Sequence, residues 1–337
     1  MNALHSGIIA LAPLDGITDS AFRQIVDEIG KPDMLFTEFI PVAGLSKGRT
    51  ILLNGLVKHV SETPIIAQFF GKEPEYFYNA FFIAAALGFN GVDVNMGCPD
   101  PSVVRKGGGA GLINDPETAK KIILALQKAR KDWKKGKKIS DTDVPDNIKQ
   151  AVTKMSVGSI KEKMTLSIKT RTGFDSPITE KWIGELLETS PDFITVHGRI
   201  FTQRYAGRAD WEEIQKAVKL AENTKTKILG NGDVHSLFEA KEKMEKYKVD
   251  GVLIARAALG NPWLFSDAIP TLEERKRTIL RHAELFLHYR PELDLRPMRK
   301  HFAWYCKQEM GSAALRKQMM SVVTLQDLRN VLEFTQK

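Results

Sequence analysis

Short apolar runs recur along the chain at residues 8–16, 34–40, 64–71, 91–98, 166–173, 193–199, 227–234 and 251–258. Runs this short, separated by stretches with helical periodicity, predict the strands of a parallel sheet. The stretches 18–29, 73–87, 116–129, 179–187, 211–221 and 236–247 supply most of the helices between them, and Thr18, Asp115 before Pro116, Asp210 and His235-Ser236 stand where N-caps belong. Eight βα units favour a closed (β/α)8 TIM barrel over a doubly wound sheet, which carries its glycine fingerprint after the first strand. Here the first turn reads Ala12-Pro13-Leu14-Asp15-Gly16, without that fingerprint.

The spacing breaks once. Residues 98–166 hold more than a loop and a helix, so an insertion is expected at about 130–163, containing a short helix near 148–155 and forming a mobile surface excursion. After Asn261-Pro262 the alternation gives way to helices alone, at roughly 271–290, 296–309 and 312–335. The chain therefore divides into a barrel domain, 1–266, and an all-helical C-terminal domain, 270–337. A length of 337 residues suits this division, being too long for one barrel of roughly 250 residues and too short for two.

Charge sharpens the picture. Residues 127–163 hold 11 Lys/Arg against 5 Asp/Glu and residues 271–337 hold 13 against 8, while the rest of the chain is slightly acidic. Positive charge clustered in this way attracts polyanions, nucleic acid first and anionic membrane second. No apolar stretch is long enough for a membrane helix and the N-terminus lacks the pattern of a secretion signal, so a cytoplasmic location is expected. Only two cysteines occur, Cys98 and Cys306, which excludes a disulfide scaffold.

Barrel enzymes carry their reactive groups at the C-terminal ends of strands. Those positions hold Pro13-Leu14, Glu38, Gln68, Asn95 with Cys98, Lys169 with Arg171, His197 with Arg199, Asn231-Gly232-Asp233, and Ala255-Arg256. Small residues and a fixed cation after strands seven and eight are where barrels bind phosphate. Gln68, Asn95, Lys169 and His197 would surround a planar ring system, the amides reading its polar edge and the lysine stabilising negative charge on it. Cys98 lies in Asn95-Met96-Gly97-Cys98-Pro99, ahead of a glycine run at 107–111 that could fold over a substrate. A nucleophile, a metal ligand and a proton donor are all open to it. Metal is the least favoured, since no second cysteine or nearby histidine accompanies it. Cys306 shares an apolar helix face with Phe302 and Tyr305 and is expected to be structural.

Taken together these residues resemble the tRNA-dihydrouridine synthases, nearly from end to end. The matching pieces are residues 12–19, Thr37-Glu38, 95–99, 107–112, Lys169-Thr170-Arg171, Val196-His197-Gly198-Arg199, Asn231-Gly232-Asp233 and 256–262. The resemblance implies an FMN enzyme, reloaded by NADPH, that reduces the C5–C6 bond of specific uridines in tRNA, with the D-loop as the expected region. It implies Cys98 as the acid that protonates C5. It also implies a cofactor site built from Pro13, Leu14, Gln68, Asn95, Lys169, His197, Asn231, Gly232, Asp233, Ala255 and Arg256. Glu38, Arg171 and Arg199 would face the substrate, and Arg296, Arg299 and Lys300, with His301, Arg316 and Lys317, would follow the tRNA backbone. A monomer without metal is expected. Ala255 stands where Gly is usual and Leu14 where Met is common, and the basic insertion has no recognised counterpart. The rival readings are an FMN enzyme acting on a free pyrimidine, which leaves the basic helical domain unexplained, and a barrel that binds tRNA without catalysis, which leaves the reactive set unexplained.

Overall fold

The computed structural model describes residues 7–61, 63–155, 163–307 and 313–333. Its eight strands are β1 (Ile8–Leu11), β2 (Leu35–Pro41), β3 (Ile65–Phe70), β4 (Gly91–Met96), β5 (Thr165–Arg171), β6 (Phe193–His197), β7 (Lys227–Asn231) and β8 (Gly251–Ile254). They are parallel and lie in the order β1-β8-β7-β6-β5-β4-β3-β2. A bridge between Ala10 and Met34, with the Leu11 N–H donating to the Met34 carbonyl at 3.1 Å, joins β1 to the approach to β2 and closes the barrel.

Alternation along the strands divides the apolar residues between two cores. Ala10, Ala12, Phe36, Ile66, Phe193, Leu229 and Leu253 fill the barrel, with Phe36 and Phe193 meeting edge to face at 6.4 Å between centroids. The opposite faces, such as Val92, Val94 and Met96 of β4, pack beneath the surrounding helices. Those helices are α1 (Ser20–Ile29), α2 (Val42–Ser46), α3 (Pro74–Ala86), α4 (Pro101–Val104), α5 (Pro116–Lys134), α6 (Asp146–Met155), α7 (Thr179–Leu187), α8 (Trp211–Ala221) and α9 (Leu237–Tyr247). Asp115, Asp210 and Ser236 cap as expected. At α1 the cap is Asp19, which accepts from the Phe22 N–H at 2.9 Å, and Thr18 instead closes the β1–α1 turn by exchanging hydrogen bonds with the backbone of Leu14.

The insertion is a packed feature where a loose excursion was expected. Val144, Ile148 and Val152, spaced one helical turn apart, are buried in the outer core, and α6 rests on α3 and on a 3-10 turn at Thr50–Leu56. The Asn147 amide donates to the Gly48 carbonyl at 2.7 Å. Part of the predicted insertion, 156–162, lies outside the described residues.

The C-terminal domain holds α10 (Leu272–Tyr289), α11 (Arg299–Lys307), α12 (Ala313–Met319) and α13 (Leu325–Glu333). The last predicted helix is thus two, because Thr324 and Asp327 cap a fresh start reciprocally at 2.9 and 3.1 Å. Its core is continuous with Ala21 and Ile25 of α1 and with Trp263, so the domain is docked on the barrel. His301, expected on the RNA-facing side, is buried at this seam against Phe22 and His282. Helical periodicity puts it on the inward face with Phe302 and Tyr305. No helix among the described residues is long and apolar enough to cross a membrane.

Candidate active site

A cavity of about 970 Å³ opens at the C-terminal ends of the strands, within the size range of small-molecule and cofactor sites. Its lining includes Pro13, Leu14, Glu38, Asn95, Cys98, Lys169, Arg171, His197, Arg199, Asn231, Gly232, Asp233, Ala255 and Arg256 from the sequence-predicted set. Gln68 is absent from it. That residue is fully buried one layer below, with its amide donating to Asp93 at 2.7 Å and accepting from Asn95 at 3.0 Å.

Strand ends supply the cavity floor. Asn95 and Lys169 are register partners on β4 and β5, and His197 and Asn231 are partners on β6 and β7. Burial pushes Lys169 down to about 8, helped by Arg171 and opposed by the Asp93 carboxylate beneath. His197 is held well below its ordinary value by burial first, then by the cations Lys169, Arg171 and Arg199. It is therefore neutral at pH 7. Its Nε2 meets Arg199 Nη1 at 3.2 Å, and because a guanidinium only donates, Nε2 accepts and the ring proton sits on Nδ1.

Cys98 sits on a tight turn after β4. Asn95 Oδ1 accepts from the Gly97 N–H at 3.1 Å and the Cys98 N–H at 2.8 Å, and Arg171 Nε donates to the Gly97 carbonyl at 2.7 Å. Arg171 Nη1 also ties down the carbonyls of Ile200 and Arg204 at 3.1 and 3.0 Å, so it clamps the β4 and β6 loops together. The glycine run is no lid. Gly108, Gly109 and Ala110 are buried, and a Cβ at Gly109, where φ is 55°, would lie 2.8 Å from the Cys98 carbonyl oxygen. Desolvation raises the Cys98 thiol above its ordinary value, with the Asp100 and Asp15 charges adding to the rise against a backbone hydrogen bond from Asp100 and the nearby Arg171 cation. The sulfur keeps its proton at neutral pH.

On the β7–β8 side, Asp233 joins two cations. Arg199 Nη2 reaches both its oxygens at 2.8 and 2.7 Å and Arg256 reaches Oδ1 at 2.9 Å. Arg199 is buried and also donates to the carbonyls of Ala206 and Gly207, so it organises the β6 loop from beneath. Arg256 is half exposed and is a cation available to an anion at the mouth. Gly232 makes the approach close, since a Cβ there would fall 2.6 Å from the Ala209 Cβ and 3.0 Å from the His197 ring. Buried amides, one buried ammonium, a glycine cradle and an exposed guanidinium form a donor set that fits a planar ring carrying a phosphate.

Glu38 lines the opposite wall. Burial, with Asp19 and Asp15, pushes it up to about 7, against the pull of Arg23. Arg296, Arg299 and Lys300 lie outside the cavity. Arg296 pairs with Asp294 at 3.3 Å, Arg299 donates to the carbonyls of Val322 and Ser321, and Lys300 donates to the Gly16 carbonyl, tying α11 to the β1 loop. Two residues escaped the sequence reading. Tyr205, 65% exposed on the cavity rim, was signalled only as a lone aromatic in a polar loop. Asp93 was signalled by alternation, standing two residues before Asn95 and so facing inward with it.

The sequence matches the family model described as dihydrouridine synthase over residues 10–140 and 142–337. It is 30% identical to a probable tRNA-dihydrouridine synthase 1 of Synechocystis sp., across 98% of this chain and 86% of that protein. It is 28% identical to a probable tRNA-dihydrouridine synthase 2 of Bacillus subtilis, across 96% and 92%. Among solved structures, histamine dehydrogenase from Rhizobium sp. 4-9 superposes with a TM-score of 0.50 at 11% identity, over 82% of this chain and 48% of that one. At that identity the likeness speaks for the barrel fold alone.

Proposed function

The chain belongs to the dihydrouridine synthase family, and from that premise we propose that it reduces the C5–C6 bond of uridine in tRNA, with FMN as cofactor, NADPH as reductant and the D-loop as target region. When bound, FMN would supply the hydride that goes to C6 of the ring. Lys169, His197 and Asn95 would hold the isoalloxazine, with Pro13, Leu14 and Ala255 as apolar walls. Asn231, Gly232 and Arg256 would hold the phosphate, Asp233 orienting Arg256 toward it.

The chain's own chemical task is a proton. Reduction at C6 leaves negative charge delocalised over C5 and the C4 carbonyl, and Cys98 donates its thiol proton to C5 as general acid. The observation that carries this reading is the setting of Cys98: a half-buried thiol with a raised pKa, on a turn fixed by Asn95 and Arg171 at the edge of the cavity floor. A thiol meant for nucleophilic attack is instead set to ionise easily. Tyr205 on the rim offers a flat apolar surface to a base leaving the tRNA stack, a step that costs a few kcal/mol and is offset by backbone contacts elsewhere. Arg296, Arg299, Lys300, Arg316 and Lys317 of the helical domain supply cations for those contacts.

The test is direct. Purified protein should be yellow and, with NADPH and unmodified tRNA, should form dihydrouridine detectable by mass spectrometry. Cys98→Ala should lose about 10²-fold or more of the rate, the usual size of a general-acid effect. Equal product from both proteins would remove Cys98 from the acid role, and protein unable to take up FMN would remove the reading as a whole.

A further inference from the structure

Beneath the cavity floor runs a chain of side-chain hydrogen bonds with a definite direction. Ser167 Oγ donates to Asp93 Oδ1 at 2.6 Å. Gln68 Nε2 donates to Asp93 Oδ2 at 2.7 Å, Asn95 Nδ2 donates to Gln68 Oε1 at 3.0 Å, and Asn95 Oδ1 accepts from the backbone N–H groups of Gly97 and Cys98. Asp93 and Gln68 are fully buried and Asn95 nearly so. An amide can turn end for end at almost no steric cost, so a row of two amides has no direction of its own. Here both ends are fixed. The carboxylate only accepts and the backbone N–H groups only donate, which leaves one orientation for Gln68 and one for Asn95.

We propose that Asp93 is a positioning residue for Cys98, locking through Gln68, from the end opposite the backbone N–H groups, the orientation in which Asn95 presents its oxygen, and not its amino group, to the turn that carries the thiol. The carboxylate acts without touching the cavity, as it is absent from the lining. A buried carboxylate is costly unless fully hydrogen-bonded, and a plain apolar residue would fill the space more cheaply. Its two oxygens are each satisfied, and direction is what an apolar replacement could not supply. Only the significance for catalysis rests on Cys98 being the acid. The geometry of the turn can be read in the FMN-loaded protein without tRNA or turnover.

The experiment exchanges acid and amide. Asp93→Asn makes the buried end able to donate or accept, so only the backbone N–H groups of Gly97 and Cys98 still hold the direction of the row. Gln68→Glu alone sets two carboxyl groups face to face. The double variant D93N/Q68E moves the acceptor-only group one step along the row, keeps the volume, and again forces the Asn95 amino group toward residue 68 and its oxygen toward the turn. Iodoacetamide reaction of Cys98 and hydrogen exchange of the Gly97 and Cys98 amides report the turn, with thermal unfolding alongside. Each single variant should change the Cys98 alkylation and amide exchange rates roughly tenfold, the effect of losing one strong hydrogen bond. The double variant should return to within about twofold of the parent, a non-additivity expected only of residues in one network. If D93N does not fold while the double variant does, the same conclusion follows. A double variant that is additive or worse than the singles, or that fails to fold, overturns the proposal, as does D93N with an unaltered turn. Dihydrouridine formation that stays at the parent rate in a single variant whose turn is altered would instead count against Cys98 as the acid.

Discussion

Lys169 illustrates how far one buried charge can be from its behaviour in water. Its ammonium is desolvated on the cavity floor, with Arg171 nearby and the Asp93 carboxylate below, and its pKa falls to about 8. The sign for function follows. The cation is present below about pH 8 and is lost as pH rises through that value, whereas the Cys98 thiol, raised by burial, keeps its proton to higher pH. A limb in kcat/KM on the alkaline side should therefore lie near pH 8 and belong to Lys169. In Lys169→Arg, whose guanidinium stays charged throughout, that limb should move up by roughly a unit or more, at whatever cost in absolute rate. A limb that stays in place would assign it elsewhere. Rapid alkylation of Cys98 at pH 7 in the unmodified protein would likewise contradict a thiol held in its neutral form. Most of these groups were legible in the sequence, because a polar residue ending an apolar strand of a barrel has to face the cavity or be paired. What sequence could not place was depth along the strand. Gln68 ends its run as Asn95 does, yet the two sit in successive layers, and only the register of β3 against β4, with Gln68 opposite Asp93, reveals it.

Among the elements, the seam between α1 and the helical domain carries the least usual chemistry. Phe22, His282, His301 and Tyr305 are packed together without solvent, His282 Nδ1 meets the Tyr305 hydroxyl at 3.2 Å, and neither His301 nitrogen has a hydrogen-bond partner among the described residues. Desolvation pushes His282 down to about 3 and His301 well below its ordinary value. Unfolded, each would titrate near 6.5, so below that pH the unfolded chain binds protons that the folded seam refuses. Stability from this source is complete above about pH 6.5 and is lost as pH falls toward 3, at up to about 1.4 kcal/mol per pH unit for each histidine. Thermal unfolding measured from pH 7 to 5 should show this slope, and His301→Leu should flatten it, because it removes a group that must otherwise stay neutral. His301→Ala should cost about 2–4 kcal/mol at pH 7 through the cavity it leaves. An unchanged slope in His301→Leu would mean that His301 takes no part in it. The seam was hidden from sequence by composition: Arg299, Lys300 and His301 read as a basic run, and only helical phase separates the inward ring from its outward neighbours. The barrel itself was plain, since eight repeats of one pattern leave few alternatives. The insertion was half legible, its apolar spacing at Val144, Ile148 and Val152 being outweighed by its lysines.

At the scale of the molecule, basic side chains gather around the cavity on both sides. Arg204 and Arg256 line its mouth, and Lys47, Arg49, Lys72, Arg105 and Lys106 are exposed on the β2, β3 and β4 loops. The insertion adds exposed Lys134, Lys135 and Lys138 on the flank of the barrel, while the helical domain presents Arg296, Arg316 and Lys317. A folded tRNA is large enough to touch several of these regions at once, and the acidic balance of the remaining chain discourages other orientations. Whether the insertion belongs to that footprint can be decided by charge. Deleting it would be uninformative, because α6 buries Ile148 and Val152 and holds the Gly48 carbonyl beside the cavity wall, so binding could fail through collapse of the turn at Thr50–Leu56. Replacing Lys134, Lys135 and Lys138 with Gln leaves the packing intact. If the insertion touches phosphate, tRNA affinity should fall at low salt, and the slope of log K against log salt should flatten by about 0.9 for each phosphate no longer neutralised, converging on the parent at high salt. The rate of uridine reduction at saturating tRNA should be unaffected, since none of the three lines the cavity. An unaltered salt slope would take the insertion out of the RNA surface and leave it as a brace for the turn at Thr50–Leu56, with the helical domain and the loops around the mouth carrying the tRNA alone.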